Sequence, residues 1–180
     1  VSAVTEAESP AGLSCDQVGE NRFFGCYYDN ADLTNLKMTR FDPEINFNWG
    51  AGSPDALIGA DTFSERWQGE FDFGGGIYTF WRTANDGVRV YVDSGLVIGQ
   101  WQDQLASFSA EVSLTAGRHL VRMEHYEGIN TAAAQLSWEL TEPLADTTPP
   151  TVPGGLTAAG ITSQQIDLTW NASSDDAGVA

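Results

Sequence analysis

The chain has 180 residues, with 25 acidic against 8 basic side chains and a formal charge of -17 at neutral pH. That balance argues against nucleic acid and anionic membrane as partners, since both need clustered cations. It suits either plain solubility or divalent cations held by hard oxygen ligands. No apolar run approaches membrane-spanning length, so membrane insertion is not expected. Nineteen Gly, six Trp, five Tyr and nine Phe favour short strands and tight turns over long helices, which makes an all-β chain the expectation.

Residues 1–22 read as a lead-in. The start Val1-Ser2-Ala3-Val4 is neither a signal peptide nor a basic transit sequence, so the chain reads as a mature or excised fragment. Cys15 and Cys26 enclose a short segment, as a local disulfide does, and such a link stabilises by about 3 kcal/mol in the chain-entropy model. The alternative is a pair of buried free thiols; the disulfide implies an oxidising compartment.

From residue 23 to 141 short alternating runs are separated by Gly, Asn, Asp and Pro. Ala56 to Arg66 holds a short turn at most. The spacing predicts that Gly76 to Trp81 pairs with Val88 to Val92 through the connection 82–87. Tyr78 and Phe80 then meet Val88, Val90 and Val92 in the core, while Trp81 faces away. Asp93-Ser94-Gly95 reverses the chain into another apolar strand. Ala110 to Leu114 alternates, Thr115-Ala116-Gly117-Arg118 is expected to turn, and His119 to Tyr126 continues antiparallel. After the loop Glu127-Gly128-Ile129-Asn130, a last strand runs from Ala134 to Leu140.

Residues 142–155, with Pro143, Pro149, Pro150 and Pro153, read as an extended linker. In 156–180, Ile166, Leu168 and Trp170 alternate as an inward set. The run from Pro149 to Leu156, the Trp170-ended strand and Asp175-Asp176 resemble the start of a fibronectin type III domain. The resemblance implies the opening strands of a sandwich that cannot close alone.

Few motifs carry chemistry. Facing carboxylates are uninformative in so acidic a chain, and nucleophile elbows, phosphate loops and paired-cysteine metal motifs do not occur. His119 and His125 lie too far apart along a strand to chelate, so both are expected to be structural or exposed. Asn171-Ala172-Ser173 matches a glycosylation sequon by pattern alone. Asn85-Asp86-Gly87 suits an ordinary hairpin turn as well as a ligand site.

The ordered blocks Cys26 to Asn30, Ile45 to Trp49, Phe63 to Glu70, Gly76 to Phe80, Asn85 to Asp93, Leu114 to His119 and Leu136 to Trp138 resemble the protective-antigen (PA-fourteen) family of lectin-like modules. The resemblance implies an antiparallel β-sandwich over 23–141. It also implies a calcium ion held by two consecutive acidic residues in a cis linkage, with the ion in turn holding vicinal sugar hydroxyls. The matching pair is Asn85-Asp86, which departs from Asp-Asp by one charge, so weaker calcium binding is expected. Glu127 and Asn130 are the further expected calcium ligands, with a backbone carbonyl of Gly128 or Ile129 beside them. Asn85, Asp86, Glu127, Asn130 and an aromatic platform at Trp101 are expected to meet the sugar, with Trp81 as a second candidate platform. Trp49, Trp67, Trp138 and Trp170 are expected in the core.

The expected function is a non-catalytic, calcium-dependent module of a secreted or cell-surface protein, binding polysaccharide or cell-surface glycan. The alternative is a structural or adhesive spacer that contacts other domains or subunits of the same protein without sugar binding.

Overall fold

The computed structural model describes residues 12–143 and 148–175. Residues 1–11 of the lead-in, linker residues 144–147 and Asp176 of the Asp175-Asp176 pair lie outside them. The described residues hold eleven strands: β1 (Gly19–Glu20), β2 (Phe23–Tyr28), β3 (Leu36–Asp42), β4 (Asn46–Gly50), β5 (Phe63–Asn85), β6 (Gly87–Val92), β7 (Gly95–Gln100), β8 (Ala106–Glu127), β9 (Ala132–Pro143), β10 (Thr157–Thr162) and β11 (Gln165–Thr169). The chain divides into two units after Pro143, inside the stretch read as linker.

The larger unit is organised by one long ribbon. β5 and β8 pair antiparallel from Phe63↔Glu127 to Ala84↔Ala106. Both strands bend at glycines in the left-handed half of backbone space, Gly75 (φ 75°) and Gly76 (φ 144°) on one and Gly117 (φ 133°) on the other, where a Cβ is strained. On one side of the bend the ribbon is flanked by β2 and β3 and by β6 and β7, in the order β3-β2-β5-β8-β6-β7. On the other side β9 joins β5 and β4 joins β9. Two layers sharing β5 and β8 face each other as an antiparallel β-sandwich, and among the described strands only the short β1 runs parallel to its neighbour.

Two local expectations fail for one physical reason. Gly76 to Trp81 does not pair with Val88 to Val92: the first segment lies between β8 and β9, the second between β7 and β8. Thr115 to Arg118 is not a turn but the bend within a continuous β8. Alternation fixes which face a residue presents but not which strand it pairs with, and that choice is made by distant segments. The predicted core contacts survive, because Tyr78, Phe80, Val88, Val90 and Val92 belong to one buried cluster. Asp93 and Ser94 do reverse the chain, at φ 48° and 70°.

Trp67 anchors that core. Its ring is fully buried, which for a side chain of this kind is worth about 2 to 3 kcal/mol. Its indole N–H donates to the Tyr27 hydroxyl at 3.1 Å and to Asp42 at 3.0 Å, so burial leaves no polar atom unpaired. Trp49 and Trp138 pack partly buried against the same cluster. Arg82 is a different case: it is buried, donates to the Ala106 carbonyl at 2.9 Å and lies over the Phe108 ring. Burial alone pulls its pKa down to about 10. The Cys15–Cys26 disulfide fastens the lead-in to β2, and Gln68 clamps the same segment by donating to the carbonyls of Cys15 and Gln17.

The smaller unit is a β10–β11 hairpin with extended flanks. Its expected inward set is exposed: Ile166, Leu168 and Trp170 retain 66%, 53% and 61% of their surface. A two-stranded ribbon has no opposing layer to cover one face, so Trp170 is not a core residue here.

Candidate functional site

β5 ends at Asn85 and β6 begins at Gly87, and the Asn85–Asp86 peptide between them is cis. Because β5 and β6 do not pair with each other, this junction is not a hairpin turn. The backbone is pinned on both sides. Asp86 N–H donates to the Tyr126 carbonyl at 3.1 Å, and the Asn85 carbonyl accepts from His125 Nε2 at 2.8 Å. Gly87 is required by packing, since a Cβ there would lie 2.0 Å from the Tyr126 ring.

The side chains face the neighbouring loop. The Asn85 amide nitrogen donates to the backbone oxygen and hydroxyl of Thr131. That commits the nitrogen side of the amide and leaves its oxygen as a lone acceptor. Asp86, only 7% exposed, accepts from Gly128 N–H through one carboxylate oxygen at 2.9 Å. The Gly128 carbonyl accepts from Thr62 N–H at 3.0 Å, and Asn130 N–H donates to Asp61 at 3.1 Å, so residues 61–62 brace the loop. Asn85, Asp86 and Asn130 line one open cleft of about 410 Å³ together with Asp103, Gln104, Leu105, Ile129 and Thr131.

Glu127 lies at the end of β8 on the core-facing side and is fully buried. Neither of its carboxylate oxygens has a hydrogen-bond partner. Its pKa is pushed up to about 7, first by burial and then by the nearby charge of Asp86. With no exposed surface it does not line the cleft, so the expected direct contact between Glu127 and a sugar is not available.

Trp101 is 38% exposed and stands beside the cleft rather than in its lining. Its ring meets that of Tyr126 at 4.8 Å between centroids, and the Arg89 guanidinium lies 3.8 Å over its face. Trp81 is exposed on the other layer of the sandwich and is not part of this cleft.

A buried pair that sequence reasoning missed supports the junction from beneath. His125 Nδ1 is 2.8 Å from Glu65 Oε2, and both side chains are fully buried. A backbone carbonyl only accepts, so Nε2 must carry the proton that reaches Asn85. Nδ1 then either donates to an ionised Glu65 or accepts from a protonated one. Burial lowers the affinity of His125 for a proton, but the Glu65 charge and hydrogen bond outweigh it and raise the pKa. Alternation along 119–127 places His125 and Glu127 on one face, which is the signal available in the sequence. The partner across the ribbon is fixed only by the pairing Glu65↔His125. Asp103, which accepts from the Tyr126 hydroxyl at 2.6 Å, comes from a loop with no sequence signal.

The chemistry of the donors decides which metal ion this junction suits. Among the described residues no three Asp, Glu, His or Cys side chains gather as a metal-binding group. Two carboxylates, Asp86 and the orphaned Glu127, must therefore be joined by amide and carbonyl oxygens. That mixture fits a hard cation such as calcium and not the nitrogen and sulfur preference of zinc.

The PA14 domain model matches residues 23–151. The anti-sigma-I factor RsgI3 of Acetivibrio thermocellus is 41% identical over 117 residues, which are 63% of this chain and 18% of that protein. The chain thus spans less than a fifth of that relative. Among solved structures, an anti-sigma factor domain-containing protein aligns with a TM-score of 0.64 at 33% identity, covering 78% of this chain and 53% of the other. The PA14 sugar-binding domain from an RTX adhesin aligns with a TM-score of 0.55 at 18% identity, covering 68% of this chain and 90% of the other, a likeness of fold.

Proposed function

The chain belongs to the PA14 domain family, and from that premise we propose that residues 23–141 form a calcium-dependent carbohydrate-binding module, without catalysis of its own. Its partner is polysaccharide or cell-surface glycan, and its parent is a secreted or cell-surface protein. The observation that carries the reading is Glu127, a buried carboxylate with two unpaired oxygens beside a second carboxylate. A buried anion without a partner is costly, and a divalent cation is the simplest compensation.

The Asn85 amide oxygen, the free oxygen of Asp86, Glu127, and the Gly128 and Asn130 oxygens would hold the ion. When bound, it supplies coordination positions for vicinal sugar hydroxyls. The chain's own part is to orient those donors. Glu65 and His125 hold the Asn85 carbonyl, Gly128 N–H fixes one oxygen of Asp86, and Thr131 turns the Asn85 amide. Trp101 offers an apolar face to a pyranose beside the cleft.

The disulfide supports an oxidising compartment. The RTX adhesin domain is itself described as sugar-binding. Likeness to anti-sigma factors is compatible with the same reading, since anchoring and sensing both need only reversible saccharide binding. Residues 156–180 are proposed as the opening of a fibronectin type III domain, in keeping with a hairpin whose apolar residues are uncovered.

The test is calorimetric titration across an oligosaccharide panel, in millimolar calcium and then in EDTA. Binding is expected in calcium only, and Asp86→Ala is expected to abolish it while the circular dichroism spectrum stays unchanged. Sugar binding that survives in EDTA or in D86A would overturn the reading.

A further inference from the structure

Three of the chain's eight basic side chains converge on one carboxylate on the solvent-facing side of the first layer. β5, β8 and β6 are neighbours there, and the pairings Arg66↔Glu124 and Arg89↔Glu124 place the residues in one row. Arg66 Nε is 2.9 Å from one oxygen of Glu124 and Arg89 Nη2 is 2.9 Å from the other. Arg122, two residues along β8, stands 3.9 Å away. Three guanidinium groups against one carboxylate leave a local excess of two positive charges. In a chain of net charge -17, such an excess runs against the rest of the molecule.

The three guanidinium groups are well placed to meet a ligand. Each arginine side chain keeps about a third of its surface, at 30%, 32% and 32%. The Nε atoms of Arg89 and Arg122 are buried and lack hydrogen-bond partners, so these guanidinium groups are only partly satisfied within the chain. Aromatic faces hold two of them in place, with Arg89 over Trp101 at 3.8 Å and Arg122 over Tyr91 at 4.2 Å. Elsewhere, by contrast, Arg40 pairs with Asp42, and Arg118 is surrounded by Glu20, Glu70 and Asp72.

This face is continuous with the cleft. Asp103 lines the cleft and accepts from Tyr126; Tyr126 contacts Trp101, and Trp101 carries Arg89. An aromatic step therefore leads from the Asn85–Asp86 junction to the arginines. We propose that the arginine face is an acidic-sugar subsite: a saccharide held at the cleft continues over Trp101 and sets a carboxylate or sulfate against Arg66, Arg89 and Arg122. Guanidinium groups match such planar or tetrahedral anions through paired N–H donors. The inference rests on the carbohydrate-binding reading of the cleft and adds the ligand class to it.

The experiment is calorimetric titration in calcium with three probes: a glucuronate-bearing oligosaccharide, its carboxyl-reduced neutral counterpart, and a sulfated counterpart of the same backbone. At least one anionic probe is expected to bind about tenfold more tightly than the neutral one, the advantage of one charge-assisted hydrogen bond. Arg122→Gln should bring that ratio towards one, because Arg66 and Arg89 still neutralise Glu124 and keep the face folded. Whichever probe responds identifies carboxylate or sulfate as the source. Equal affinity for charged and neutral probes, or a ratio unchanged by R122Q, overturns this inference alone. Silence towards all three probes overturns the carbohydrate reading with it.

Discussion

Two glutamates three residues apart on β8 make opposite use of burial. Glu124, 4% exposed, faces outward and is gripped by Arg66 and Arg89 from the strands on either side. Glu127, fully buried, faces inward with both oxygens unpaired and with Asp86 and Asp61 adding like charge. Desolvation costs both carboxylates, but Glu124 is paired with two guanidinium groups, whereas Glu127 has no hydrogen-bond partner and only the charge of His125 to set against Asp86 and Asp61. The first is explained by the fold; the second is the residue on which the proposed calcium site depends.

Glu124→Ala should break the first half of that comparison and have the larger effect. It leaves three guanidinium groups facing one another, and we expect a loss of about 2 kcal/mol of unfolding free energy, read by chemical denaturation. Glu127→Gln should act in the opposite direction. In EDTA at pH 8 it removes an uncompensated buried charge and is expected to raise stability by about 1 kcal/mol.

The same contrast has a pH signature. The folded-state pKa of Glu127 stands near 7, above the ordinary value of 4.5, so the folded state favours the protonated form. Its stabilising contribution is full below about 4.5 and is lost as pH rises through about 7. In EDTA the melting temperature of the parent protein should therefore fall across that window relative to E127Q, as followed by thermal denaturation.

Much of the fold was legible because alternation reports burial directly. The facing of Val88, Val90 and Val92, the Asp93-Ser94 reversal and the Cys15–Cys26 link were all readable from the chain. Strand pairing was not, because Gly76 to Trp81 is equally suited to several partners and the ribbon's bend at Gly117 imitates a turn. At the site, Asn85, Asp86 and Asn130 do share a cleft. The Glu65 and His125 support stayed hidden because its members are sixty residues apart and meet only through the ribbon's register. The convergence of Arg66, Arg89 and Arg122 escaped for the same reason: three arginines on three strands have no spacing in common.

The most direct test of the account is calcium titration by isothermal calorimetry at pH 8, on the parent protein and on Glu127→Gln. Saturable calcium binding to the parent is expected, weakened at least tenfold in E127Q as one charged ligand is lost. An absence of binding at millimolar calcium, or equal affinity in E127Q, would contradict it.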